Sequence, residues 1–205
     1  MPKRLLAYSF SALLSLGLLE IATPANALII ISTANLTGPG ESPPNASPAT
    51  GFAEVDFDIL GNTILTMHVH ATFSGLQGTT TASHIHCCTT VPFTGTAIVA
   101  TTVPTFPGFP LGMTSGTYDQ TFDMSLASSY NPAFITANGG TVASANAVLL
   151  AGLFAGTEYL NIHTTAFPGG EIRGFLEPVP EPGSLALMAT ALAGLGLLRR
   201  RSRRG

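Results

Sequence analysis

Two stretches of alternation, hinged on a Gly-Asn pair, constrain this chain more than any other feature. In segment 51–60, Ala53, Val55, Phe57 and Ile59 fall on one side and Glu54, Asp56 and Asp58 on the other. Segment 63–73 repeats the pattern, with Leu65, Met67, Val69 and Phe73 opposed to Thr66, His68, His70 and Thr72. Successive side chains of a strand point to opposite faces, so a period of two marks half-buried antiparallel strands. Gly61-Asn62 between them reads as the tight turn of a hairpin.

Further strands are expected at 28–35, 95–100, 117–124, 158–163 and 171–176. The Thr-, Pro- and Gly-rich stretches 37–50 and 101–116 read as loops. Thr141 to Ala155 is rich in Ala and Leu and lacks Pro, which predicts a short helix packed on the sheets. About seven short strands with turn signals point to an all-β, antiparallel β-sandwich. Only 9% of the residues are charged, and a disordered chain needs low hydrophobicity with high net charge.

The two ends read as addresses flanking the domain, each built on a hydrophobic targeting helix. Lys3 and Arg4 precede an apolar run from Leu5 to Leu19, and Ala25-Asn26-Ala27 supplies the small residues of a signal-peptidase site. The mature chain is expected to start at Leu28, leaving 1–27 as a signal peptide and 28–178 as one domain. At the other end, Pro180-Glu181-Pro182 is followed by an apolar run from Ser184 to Leu198 and a tail of five arginines. An arginine cluster directly after an apolar helix halts translocation. This tripartite ending, 179–205, resembles the PEP-CTERM sorting signal. The resemblance implies an exosortase-type transpeptidase as partner, a transmembrane helix that anchors the chain until it is cut, and a Gram-negative cell that makes extracellular polysaccharide.

Charge is distributed as unevenly as hydropathy. Between Leu28 and Pro180, nine carboxylates stand against one cation, Arg173, a formal charge of −8 with histidine neutral. Such a domain cannot neutralise a row of phosphates, which excludes nucleic acid and favours cations as partners. Arg173 reads as paired, with Glu171 or Glu158, more readily than as an anion guide.

Four of the five histidines come as His-x-His pairs, His68-Val69-His70 and His84-Ile85-His86. On a strand, each pair presents both imidazoles to one face. His163 ends a strand on which Tyr159, Asn161 and His163 share a face. Neutral imidazole suits zinc and copper, so His84, His86 and His163 are candidate ligands, whereas His68 and His70 read as surface residues. Cys87 and Cys88 are the only cysteines. Being adjacent, they cannot form the long-range disulfide usual in exported domains. A vicinal disulfide, a soft metal ligand and free thiols all remain open.

Leu36-Thr37-Gly38 with Glu41-Ser42-Pro43-Pro44, then His84-Ile85-His86, Tyr159-Leu160-Asn161-Ile162-His163-Thr164 and Gly170-Glu171-Ile172-Arg173-Gly174 together resemble the CHRD (chordin-type) domain. The likeness runs from about Ala34 to Glu177. It implies an immunoglobulin-like or superoxide-dismutase-like sandwich in which Asn161, Glu171 and Arg173 belong to the structural motif. The family usually continues its His-x-His with a Gly-containing turn, where this chain has Cys87-Cys88.

Three functions follow as expectations. The first is a non-catalytic domain at the cell envelope or in the extracellular matrix, associated with polysaccharide or biofilm. The second is a copper- or zinc-binding module on the clustered histidines. The third, a metal-dependent redox enzyme, rests on fold analogy alone.

Overall fold

The computed structural model describes residues 27–180. The expectations for Ala25, Glu181 and Pro182, for both apolar runs and for the arginine tail lie outside the described residues. Among the described residues, no helix is long and apolar enough to cross a membrane.

The domain is all-β with antiparallel pairing throughout. Its strands are β1 (Leu28–Thr37), β2 (Thr50–Leu60), β3 (Thr63–Ser74), β4 (Thr80–His86), β5 (Gly116–Asp123), β6 (Tyr159–Thr164), β7 (Ile172–Phe175) and β8 (Glu177–Pro178). They pair in one path, β4-β6-β7-β1-β2-β3-β5, with β8 added to β1. The sheet curls, and segment 99–115 lies along both of its terminal strands. It bonds β4 through Ala100 N–H to Ile85 O, Phe106 N–H to Ser83 O and Gly112 N–H to Thr80 O. It reaches β5 by stacking Phe106 on Tyr118, whose hydroxyl donates to Pro107 O.

The alternation of the first hairpin translates into burial. Ala53, Val55, Phe57 and Ile59 of β2 are all in the core, as are Met67, Val69, Ala71 and Phe73 of β3. Each large apolar side chain so buried contributes about 1.5–3 kcal/mol. Gly61 adopts a left-handed φ of +62° in the turn, a conformation glycine takes without penalty. Leu65 departs from its expected side. Ile59 pairs with Ile64 and Asp58 with Thr66, so Leu65 is the extra residue of a β-bulge. It is exposed, and Ile64 takes the buried place.

The expected helix is α2 (Val142–Ala155), following a short α1 (Pro132–Ala137) that the residue pattern does not announce. A capping box of Thr141 and Ser144 starts α2, and Gly156, in the left-handed region, ends it. Asn146, on the buried side of α2, addresses the bulge. Its Oδ1 accepts from Ile64 N–H (2.9 Å), and its Nδ2 donates to Ile64 O (2.8 Å) and the Tyr130 hydroxyl (3.0 Å). Segment 95–100 is not a strand. It makes only the isolated bridge of Val99 to His86, because its Ala97 backbone is taken up by side chains.

Asn146→Ala removes the only polar partners that helix α2 gives the bulge and strands the backbone of Ile64. Urea denaturation should show a loss of about 2–3 kcal/mol, with far-UV circular dichroism unchanged at zero denaturant.

Candidate metal centre

Parity along β4 and β6 divides their residues between two environments. Ile85, Leu160 and Ile162 point into the core, so His84, His86, Tyr159, Asn161 and His163 point to the other face. Register then lines up His86 with Tyr159, His84 with Asn161 and Ala82 with His163. Arg173 of β7 lies beside Asn161, and Phe175 beside Tyr159. This face would meet water in a bare sheet, yet His84 and His86 are buried. The roof is irregular chain: the loop after β1, segment 95–106 and the turn 165–170.

Segment 95–106 supplies backbone acceptors to two of the imidazoles, and the turn 165–170 supplies one to the third. His84 Nε2 bonds Pro104 O at 2.6 Å, His86 Nδ1 bonds Ala97 O at 2.8 Å and His163 Nδ1 bonds Pro168 O at 2.9 Å. A carbonyl accepts only, so these nitrogens carry the protons, and each imidazole keeps its other nitrogen as a lone pair. Those three nitrogens, His84 Nδ1, His86 Nε2 and His163 Nε2, are buried and have no hydrogen-bond partner. One ligand atom from each of the three histidines lies within 4.8 Å of the others. Burial lowers the pKa of all three, and brings His86 down to about 4 in spite of its bond to Ala97 O. They are therefore neutral at neutral pH, as a metal ligand must be.

The roof is itself tethered. His86 stacks on Tyr159 with centroids 4.7 Å apart, and the Tyr159 hydroxyl accepts from Ala97 N–H at 3.2 Å. Arg173 covers the other side of the Tyr159 ring at 4.5 Å, a cation–π contact. Its Nε donates to Gly40 O and its Nη1 to Gly95 O. The carboxylate nearest Arg173 is Glu41 (Nε–Oε2 3.8 Å), rather than the expected Glu171 or Glu158. Burial outweighs Arg173 and pushes Glu41 up to about 7, while Asn161 Nδ2 donates to both of its oxygens. Gly170 permits this packing, with φ at +131° and no room for a Cβ against Asn161 and Glu41.

Glu171 is not on the Arg173 face, because it precedes β7 in the turn. Its carboxylate, fully buried, accepts from Ser47 Oγ (2.6 Å), Gln77 N–H (2.7 Å), Gly78 N–H (3.2 Å) and Thr164 Oγ1 (2.7 Å). Burial works to raise its pKa, and these four donors overcome it, so the carboxyl sits below its ordinary value.

The remaining candidates lie elsewhere. His68 and His70 are on the outer face of β3, each within 3.2 Å of Asp119. Cys87 and Cys88 are joined in a vicinal disulfide behind β4, outside the histidine cluster. Soft-ligand and free-thiol readings therefore do not describe this state. Sequence reasoning missed Glu41 and the three carbonyl acceptors. The acceptors carry no residue signature, and Glu41 signals itself only as part of a Glu-Ser-Pro-Pro loop.

A group whose folded pKa is lowered contributes stability that is present above the unfolded pKa and lost as pH falls through the folded one. Glu171→Gln should therefore cost roughly 3 kcal/mol at neutral pH. The difference from wild type should shrink as pH falls below the ordinary glutamate range, read as urea midpoints across a pH series.

A family model described as the CHRD domain matches residues 32–176. A second, described as the PEP-CTERM protein-sorting motif, matches residues 178–203. No curated protein matches the chain, and no solved structure does either.

Proposed function

Because this chain belongs to the CHRD domain family and ends in a PEP-CTERM sorting motif, we propose that it is an exosortase-sorted envelope protein whose domain binds one zinc or copper ion through His84, His86 and His163. The observation that carries this reading is that three histidines bring ligand atoms within 4.8 Å of one another and each keeps one buried ring nitrogen without a hydrogen-bond partner. A buried polar atom without a partner costs about 1–3 kcal/mol, and a set of three neutral imidazoles matches the donor preference of zinc and copper. The outer bonds to Ala97, Pro104 and Pro168 do what second-shell acceptors do in metal sites. They fix the tautomer, orient the ring and raise ligand basicity.

The domain is read as a binding module rather than an enzyme. Beside the three rings stand backbone carbonyls, the Tyr159 ring and the Asn161 amide, and among the described residues there is no nucleophile paired to a base. The sorting motif supports export and processing by an exosortase-type transpeptidase, with the membrane as a temporary anchor. Retention beside extracellular polysaccharide is part of the same proposal, and the boundaries 28–178 for the mature domain go with it.

The test uses the full chain without a histidine tag, purified in mild detergent, loaded with zinc or copper, dialysed and analysed for metal. About one ion per chain is expected, and the variant His84→Ala/His86→Ala/His163→Ala should hold none while keeping its circular dichroism. Ligand pKa values below the ordinary histidine value weaken proton competition. Occupancy should therefore persist at pH 6 and be lost as pH falls towards about 4, the value of His86. Wild-type protein that retains no metal at neutral pH would end this reading.

A further inference from the structure

A second cluster lies on the opposite, core-facing side of β4 and β6. Glu158 is 0% exposed, and neither of its carboxyl oxygens has a hydrogen-bond partner. It follows the parity of Leu160 and Ile162, which puts it in the hydrophobic core. The Cys87–Cys88 disulfide lies there too, at the end of β4. Gly152 of α2 closes the space between them. A Cβ at Gly152 would sit 2.5 Å from Cys87 Sγ, 2.6 Å from Cys88 Sγ and 3.1 Å from Glu158 Oε1. Both sulfurs and the carboxyl therefore converge on one spot, and a mid-helix glycine, which costs about 1 kcal/mol against alanine, leaves them the room.

A disulfide offers no hydrogen to the Glu158 oxygens. Two thiols would offer one each, so the surroundings that Glu158 lacks in this state are those that reduction creates. A carboxyl that is fully buried with no partner for either oxygen takes the neutral, protonated form rather than a bare charge, and burial raises its pKa accordingly. Cys88 is only partly buried, whereas Cys87 is 1% exposed, so a reductant meets Cys88 first.

We propose that Cys87–Cys88 is a reversible thiol–disulfide exchange site for dithiol reductants, with Glu158 as its internal proton donor. The dithiol loses one proton to solvent, and its thiolate attacks Cys88 Sγ. The Sγ–Sγ bond breaks, its electron pair passes to Cys87 Sγ, and that sulfur takes the Glu158 proton. The second thiol of the reductant, as thiolate, then displaces Cys88 Sγ from the mixed disulfide, and Cys88 takes the proton that this thiol releases. Glu158 regains from solvent the proton lost at the start. In sum, two electrons and two protons move to the cysteines, and the dithiol leaves as a disulfide. Protonating the departing sulfur inside the protein speeds the step that breaks the bond, because a better leaving thiol leaves faster.

The experiment treats the full chain in mild detergent with dithiothreitol, with a chelator present so that the histidine site plays no part. Released thiols are counted with a colorimetric reagent. Two thiols per chain are expected from folded protein, falling to none on reoxidation with oxidised dithiothreitol, with circular dichroism unchanged throughout. Glu158→Gln is isosteric with the neutral acid and should be reduced at least about a hundredfold more slowly, the lower end of the usual range for a positioned acid. Infrared difference spectra of the wild type give a second readout, independent of any variant. The band of a protonated buried carboxyl should shift when the disulfide opens. Thiols that appear only on unfolding would overturn the proposal. So would an unmoved carboxyl band, or wild-type kinetics in a folded Glu158→Gln.

Discussion

The buried carboxylate of Glu171 is the interaction on which the architecture around the site depends. A charge in the interior is tolerated only when its oxygens are fully engaged, and here the four donors come from three separate places in the chain. Ser47 belongs to the loop before β2, Gln77 and Gly78 to the link between β3 and β4, and Thr164 to the end of β6. The first two of these segments have no ladder to hold them at that point. The charge fixes them relative to the start of β7, and with them the turn that presents Pro168 O to His163.

From there the organisation follows strand register. Antiparallel pairing of β4, β6 and β7 puts imidazole, amide and guanidinium side by side in one row, and imidazole, phenol and phenyl in the next. The two sides of the same strands then serve opposite chemistries. Three basic nitrogens are gathered on the roofed face, while an acid and two sulfurs are gathered in the core. Both clusters are groups that burial has forced into the neutral form, the imidazoles by lowering their pKa and Glu158 by raising it. One sheet therefore carries two sites that do not share a residue.

Features with a period or a local signature were legible in the residues. The first hairpin and the common face of Tyr159, Asn161 and His163 follow from spacing, and the α2 helix from a run rich in Ala and Leu without Pro. His84 and His86 as a pair follow from i, i+2 on a strand. What escaped was set by long-range packing. Leu65 fell on the wrong side because a bulge changes parity without changing composition. Segment 95–100 has strand-like residues, but its Ala97 backbone is claimed by His86 and Tyr159. Arg173 found Glu41 instead of Glu171 or Glu158 because the loop after β1 folds over β7, a contact between residues 132 positions apart. The significance of Glu158 depends entirely on what surrounds it, and nothing adjacent in sequence announces a buried, unpaired acid.

The placement of Arg173 bears on how this protein can sit among other polymers. It is the one lysine or arginine among the described residues, and it is 3% exposed, spent on two backbone carbonyls and an aromatic ring. The outer surface of the domain therefore carries carboxylates with no fixed positive charge beside them. Copies of the domain repel one another at low ionic strength, and direct ion pairing with an anionic glycan is closed to it. Any contact with such a matrix would have to pass through shared divalent cations or uncharged hydroxyls, and would then respond to the hardness of the surrounding water.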